Sequence, residues 1–209
     1  MVVPLVSGAS SATPIRFTVR RVASSSGSQV EPQLELVSSD ITQDSADAIV
    51  SPSDERLSGV GLVHLAVQRV GGPGLVAACR AELARRPGGF QAGEAVLTRG
   101  FNLPARYVIH TVPPLYSVDP RRAGAVLDRC YTNSLKLARI YACRSVAFPA
   151  VATGVYGYPI QEAAAIAMQV VHRELLAEPI PTVVRFVLFG PSMLDVYLRE
   201  ARRVFAEER

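Results

Sequence analysis

The sequence predicts an α/β domain with a mostly parallel sheet sandwiched between helices. Three observations carry this. Short apolar runs alternate along the chain with segments of helical periodicity, the order expected of strand–helix–strand units. Several of the runs are apolar throughout, as in AlaAspAlaIleVal at 46–50, which marks strands buried on both faces. Two segments leave such strands and enter helices through glycines, the place where open sheets of this class bind ligands.

The elements follow in order. Residues 1–13 are small, polar and Ser-rich and are expected to be a flexible lead-in. Residues 15–22 alternate well enough for an edge strand, and SerSerSerGlySer at 24–28 is a loop. Strands are predicted at 34–37 and 46–50. Gly59 to Gly61 then open a helix to about Val70, GlyGlyPro at 71–73 breaks it, and a second helix covers 75–85. Strands follow at 95–98 and 107–112. Val126, Leu127, Cys130, Tyr131, Ser134, Leu137, Ala138 and Tyr141 lie at helical spacing within 122–141. Residues 145–150 read as a strand. Pro159 opens a helix to about Ala177, a position that suits proline because the first helical amide needs no partner. Residues 182–189 form the strongest β run, and Pro191 starts a last helix to about Glu207.

Composition narrows the function. Apolar residues make up 49% of the 209, enough for a sizeable core. The formal charge is +4, from 22 Lys+Arg against 18 Asp+Glu, and no basic run exceeds two residues. A dedicated nucleic-acid binder needs clustered phosphate contacts, so scattered charge argues against one. Mild basicity still steers a diphosphate or polyanion toward the protein. Cys79, Cys130 and Cys143 cannot complete a disulfide framework, and none sits in a CxxC pair, so no metal site or cofactor is expected. No apolar run reaches the ~18 residues of a membrane span, and the N-terminus lacks the basic flank of a signal peptide. The expectation is an intracellular protein, cytoplasmic or nuclear, not secreted and without a membrane partner.

Two loops carry the chemistry. SerProSerAspGluArgLeuSerGlyValGlyLeuVal at 51–63 enters a helix through Gly59 and Gly61. ProAlaValAlaThrGlyValTyrGlyTyrPro at 149–159 enters one past Gly154 and Gly157. Glycine lets amides approach an anion closely, and a helix N-terminus adds unsatisfied N–H groups and partial positive charge. Side by side, two such loops can grip a diphosphate. No GxxxxGK[ST] and no full GxGxxG is present, which tells against a P-loop NTPase and an ordinary Rossmann fold.

Over residues 34–206 the sequence resembles the macro domain family. SerAspIleThr at 39–42 is similar to the family's Gly-Asp-Ile-Thr, and AspAlaIleVal at 47–50 to its buried strand. Residues 93–112 follow the pattern throughout, and 147–159, AlaPheProAlaValAlaThrGlyValTyrGlyTyrPro, is the most specific match. The resemblance implies a three-layer α/β/α fold with a mixed, mostly parallel central sheet over residues 14–209 and ADP-ribose, free or on a protein, in a cleft. It implies that Asp40 accepts from the adenine amino group, that Ile41 lines the adenine slot and that Phe189 packs near adenine. Ser51, Asp54, Gly59, Val60, Gly61, Leu62 and Val63 fall in the first binding loop, and Ala152, Thr153, Gly154, Val155 and Tyr156 in the second, with Tyr156 on the distal ribose.

The sequence also departs from that pattern. Active members commonly carry Asn-Ala-Ala-Asn, a glycine run, Val and Asp; here stand Ser51, Pro52, Ser53 and Asp54, then Gly59-Val60-Gly61-Leu62, Val63 and His64. Loss of the second Asn and of the Asp tells against the family's hydrolytic activity, which leads to a reader of ADP-ribose. Asp54 and His64 are nonetheless the candidate catalytic residues of an ADP-ribosyl-protein hydrolase or O-acetyl-ADP-ribose deacetylase, since a carboxylate can orient water and an imidazole titrates near neutrality. A histidine in a helix's first turn is ordinarily solvated. Asp54 near two phosphates costs on the order of 1–3 kcal/mol in a partly solvated site. A third reading is a degenerate pocket that binds RNA or poly(ADP-ribose) by charge.

Overall fold

The computed structural model describes residues 13–19, 31–178 and 180–205. All but the last residue of the lead-in expected at 1–13, the loop at 24–28 and the last residues of the C-terminal helix lie outside these. Among the described residues, seven strands form one sheet in the order β1-β2-β7-β6-β3-β5-β4. They are β1 (Ile15–Thr18), β2 (Gln33–Ser38), β3 (Ala48–Pro52), β4 (Ala95–Arg99), β5 (Tyr107–Thr111), β6 (Ser145–Phe148) and β7 (Val183–Leu188). The inner pairs β2/β7, β7/β6, β6/β3 and β3/β5 are parallel; the two edge strands pair antiparallel.

Both faces of the sheet are buried, and period two sorts the side chains between them. Ala48 and Val50 of β3, Phe148 of β6 and Phe186 of β7 join one core with Tyr131, Met168 and Tyr197. Ile49, Val108, Ala147 and Val187 point the other way, into a core with Val67, Leu75 and Cys79. Helix α1 (Leu62–Ala84) therefore covers one face, and α2 (Pro120–Ile140), α3 (Ile160–Ala177) and α4 (Pro191–Phe205) the other. This is the three-layer α/β/α arrangement with a mixed, mostly parallel sheet.

Three local details set the site. Strand β3 runs two residues further than the sequence suggests and includes Pro52. Its pairing with β6 covers only Ala48 and Ile49, so at Pro52 no ladder amide is needed on that side. A short 3-10 helix, Ile41–Gln43, follows β2; Asp40 caps it by accepting from the Thr42 amide at 2.9 Å. Helix α1 is 23 residues long and matches a membrane span by length and composition only. It is broken, however, at Gly72, whose φ of 76° and ψ of −168° are not helical, in accord with the GlyGlyPro signal. A β-carbon at Gly72 would lie 2.8 Å from the Asn102 amide nitrogen in a left-handed conformation, so the break requires glycine.

Candidate functional site

The predicted ligand residues gather at the carboxyl ends of four neighbouring strands, and the segment after a fifth, β5, continues the row. In spatial order these are β2, β7, β6, β3 and β5. Adjacent strands lie ~4.8 Å apart, so the row extends roughly 19 Å.

At one end, Ser38 pairs with Leu188 and the Ser39 amide reaches the Leu188 carbonyl at 3.3 Å. Asp40 and Phe189 therefore leave the sheet side by side. Asp40 is exposed; its Oδ1 holds the Thr42 amide and hydroxyl at 2.9 and 2.8 Å. Phe189 is 91% exposed and belongs to neither core. Ile41, in contrast, is buried among Val37, Ile49 and Ala46.

The next segments are the two glycine loops, and they meet. A β-carbon on Gly61 would stand 3.7 Å from Cγ2 of Val155. In the loop after β6, the Thr153, Gly157 and Tyr158 amides bond within the loop to Ala150, Gly154 and Ala152 carbonyls. The Gly154, Val155 and Tyr156 amides enter none of these bonds. Ala152 holds a φ of 70°, and its buried side chain anchors the turn. In the loop after β3, Gly61 is the N-cap of α1 with a φ of 96°, and no side chain caps that helix. The first-turn amides of Leu62 and Val63 are thus left for a ligand or water. Val60 and Leu62 are exposed, and Thr153 and Tyr156 are partly buried.

Beyond the loops lies a cavity of about 700 Å³. Asp54, Val60, Val155 and Tyr156 form one side of it; the segment after β5, including Val112, Pro113, Pro114 and Leu115, and the start of α2, with Asp119 and Arg122, form the other. Asp54 lines this cavity and also builds the loop. Its Oδ1 accepts from the Ser58 amide at 2.7 Å, and its Oδ2 accepts a very short bond from the Ser58 hydroxyl. The Leu57 amide reaches the Asp54 carbonyl at 3.1 Å. The Tyr156 hydroxyl is pushed up to about 12, by burial first and then by Asp54, so the ring is a neutral packing surface.

His64 is not where the sequence suggests. It is 0% exposed and is neither a solvated first-turn residue nor part of the cavity lining. The register of α1 turns it inward, and Ser51, also buried, meets it: Ser51 Oγ lies 2.9 Å from His64 Nδ1. The ring packs edge-on against His110 of β5, with centroids 5.6 Å apart. His110 Nε2 in turn meets Thr98 Oγ1 at 2.9 Å. Burial pushes the His64 imidazole below its ordinary value, while the Leu57 carbonyl and Asp54 pull it partly back. Burial, with His64 beside it, lowers His110 to about 3. Both rings are neutral at physiological pH. Among the described residues no group of three or more His, Cys, Asp or Glu side chains is placed to hold a metal ion.

Sequence reasoning missed the wall at 112–126. It directly follows a predicted strand, so the rule that flagged the two glycine loops also points to ProProLeuTyr at 113–116; without glycines it drew no notice.

Comparison with known proteins agrees with this geometry. The macro domain family model matches residues 50–167, more than half of the chain. A macro domain-containing protein of Chlorobaculum tepidum is 45% identical over 166 residues, covering 78% of this chain and 92% of the relative. A protein of Enterobacter cloacae named O-acetyl-ADP-ribose deacetylase is 39% identical over 170 residues, covering 81% and 94%. An Oceanobacillus iheyensis macrodomain mutant with ADPR superposes with a TM-score of 0.84 at 31% identity, over 93% of this chain and all of that one. The Trypanosoma brucei macrodomain in complex with ADP-ribose gives 0.70 at 35% identity, over 79% and 68%. Sequence, topology and the two converging loops together make the chain a member of the macro domain family.

Proposed function

We propose that this chain is a reader of ADP-ribose, free or attached to a protein, held across the ends of β2, β7, β6, β3 and β5. One observation carries the reading above the rest: two strand-to-helix turns with free amides converge, Val155 Cγ2 standing 3.7 Å from the place of a β-carbon on Gly61. Such amides neutralise a diphosphate without any lysine or arginine in contact. The order of groups along the row supports the rest. An exposed aromatic ring and the Asp40 carboxylate suit adenine at one end. The amide-rich loops suit the diphosphate in the middle. Asp54 and the face of Tyr156 suit a second ribose at the mouth of the cavity. The Oceanobacillus and Trypanosoma structures with ADP-ribose lend this ligand to a chain of the same fold.

The test is a calorimetric titration with ADP-ribose. Binding with a matching thermal shift is expected; no heat and no shift at millimolar ligand would reject the reading. Hydrolysis of a bond to the distal ribose is favoured by one separate observation, the Asp54 carboxylate on the cavity wall, and by the Enterobacter relative's name. It predicts release of acetate from O-acetyl-ADP-ribose, or of label from mono-ADP-ribosylated protein, that Asp54→Ala abolishes. Unchanged substrate at high protein concentration rejects it. Charge-driven binding of RNA or poly(ADP-ribose) finds less support, because Arg56 and Arg122 at the cavity stand among Glu55 and Asp119, and Arg122 pairs with Asp119 at 3.6 Å.

A further inference from the structure

We propose that Ser51 and His64 act as one positioning unit that sets the geometry of the first phosphate loop. The inference rests on the ADP-ribose reading above and concerns how this chain, with its own residues, builds that site. Ser51 is the last but one residue of the inner strand β3 and His64 lies in the first turn of α1; the segment between them, 52–63, contains the loop. The 2.9 Å contact from Ser51 Oγ to His64 Nδ1 therefore ties the two ends of the loop together. Both residues are fully buried, so water does not compete for the bond.

The surroundings make the bond a fixed reference. His64 rests edge-on against His110, and His110 is held by Thr98 Oγ1 at 2.9 Å and Cys79 Sγ at 3.7 Å. Strand β3, helix α1, strand β5 and strand β4 are thereby joined through side chains beneath the loop. The middle of the loop is fastened separately, by Gln68 Nε2 donating to the Leu57 carbonyl at 3.2 Å and by Asp54 with Ser58. The orientation of the Leu62 and Val63 amides follows from where His64, two residues and one residue on from them, is pinned.

Ser51 and His64 are also two of the places where the sequence departs from the family pattern, which carries Asn and Asp there. Thirteen residues apart in sequence, the two departures touch. A hydroxyl opposite an imidazole is a matched neutral pair. At full burial the pair is also matched in size: Asn opposite His64 overfills the contact, and Ser51 opposite Asp leaves a gap. The two substitutions read as a joint replacement.

The experiment measures the dissociation constant of ADP-ribose by calorimetry, and the melting temperature of the ligand-free protein, for the wild type, Ser51→Ala, His64→Leu and their double variant. Each single change is expected to weaken ADP-ribose about tenfold, the size of one buried hydrogen bond, and the double no more than the worse single. His64→Asn keeps a polar atom at the place of Nδ1 and is expected to stay within about threefold of the wild type. This variant keeps the proposal testable if His64→Leu does not fold. Ser51→Asn with His64→Asp is expected to bind better than the product of the two single losses allows. A contact that only stabilises the fold would lower the melting temperature and leave the dissociation constant, measured well below it, unchanged; that result overturns the proposal, as do single effects that simply multiply. Wild-type protein that fails to bind ADP-ribose overturns the functional reading and this inference with it, whereas wild-type binding with uncoupled variants overturns this inference alone.

Discussion

The buried histidines make the protein acid-sensitive above the range where its carboxylates titrate. His110 is fully buried, and its folded-state pKa is lowered from 6.5 to about 3. As pH falls through 6.5, the unfolded chain binds a proton at this residue and the folded chain does not. The stability contribution is therefore complete above 6.5 and is lost progressively toward 3. One pH unit corresponds to about 1.4 kcal/mol, so between pH 7 and pH 5 His110 alone removes about 2 kcal/mol. His64, shifted in the same direction, adds to that loss. Glu35, Glu94 and Asp128 have lowered values and begin to contribute only as pH falls through the ordinary carboxylate range, so stopping at pH 5 keeps the histidines dominant. Urea unfolding at pH 7, 6 and 5 measures the slope. His110→Gln offers Thr98 the same hydrogen-bonding reach without a titrating ring and is expected to lose about 2 kcal/mol less over that interval. A stability flat within about 0.5 kcal/mol, or a His110 resonance that titrates near 6.5, would refute the burial argument.

Further outcomes follow from other contacts. Gly61→Ala is expected to weaken ADP-ribose in calorimetry; the new methyl has room at 3.7 Å from Val155, so the effect is the roughly 1–3 kcal/mol of a φ of 96° that side chains avoid, and unchanged affinity would mean the loop does not need this conformation. Phe189→Ala is expected to leave urea stability within about 0.5 kcal/mol, because the ring is exposed, while weakening ADP-ribose by about 0.5–1.5 kcal/mol; a large stability loss instead would contradict the exposed placement. Arg185→Met removes a guanidinium that bridges Glu35 at 2.7 Å and Asp44 at 2.9 Å. Burial pushes the Glu35 carboxyl up, and Arg16 and Arg185 outweigh it. The substitution is expected to cost about 3 kcal/mol in urea unfolding, with the loss relieved at low pH where both acids are protonated.

Much of this architecture is legible in the sequence because both codes it uses are local. The apolar run ending at Val50 and the helical spacing of Leu127, Cys130, Tyr131 and Ser134 each follow from one element's burial. The paired glycine loops are legible for the same reason: each is a strand end followed by a helix start. Their meeting is not local, and only the sheet order, which sets β6 beside β3, brings Val155 to Gly61. The fate of His64 is hidden more deeply. Its inward turn depends on α1 starting at Leu62, since a start one residue away would rotate it by about 100°. Its partners Ser51 and His110 lie on two strands that sequence separates widely. Phe189 illustrates a boundary effect: one residue inside β7 it would be core, and one residue past Leu188 it stands in solvent.

The interruption of α1 at Gly72 bears on how little helix an anion site needs. The stretch that faces the cleft runs only from Leu62 to the glycine pair, about ten residues, before the axis changes. Attraction of an anion arises in the opening turn, where amides lack carbonyl acceptors, and fades within it. Everything beyond Gly72 can therefore bend to follow the curvature of the strands beneath without weakening the electrostatic grip upstream. Length in α1 serves coverage of the sheet, and charge recognition is settled in its first four residues.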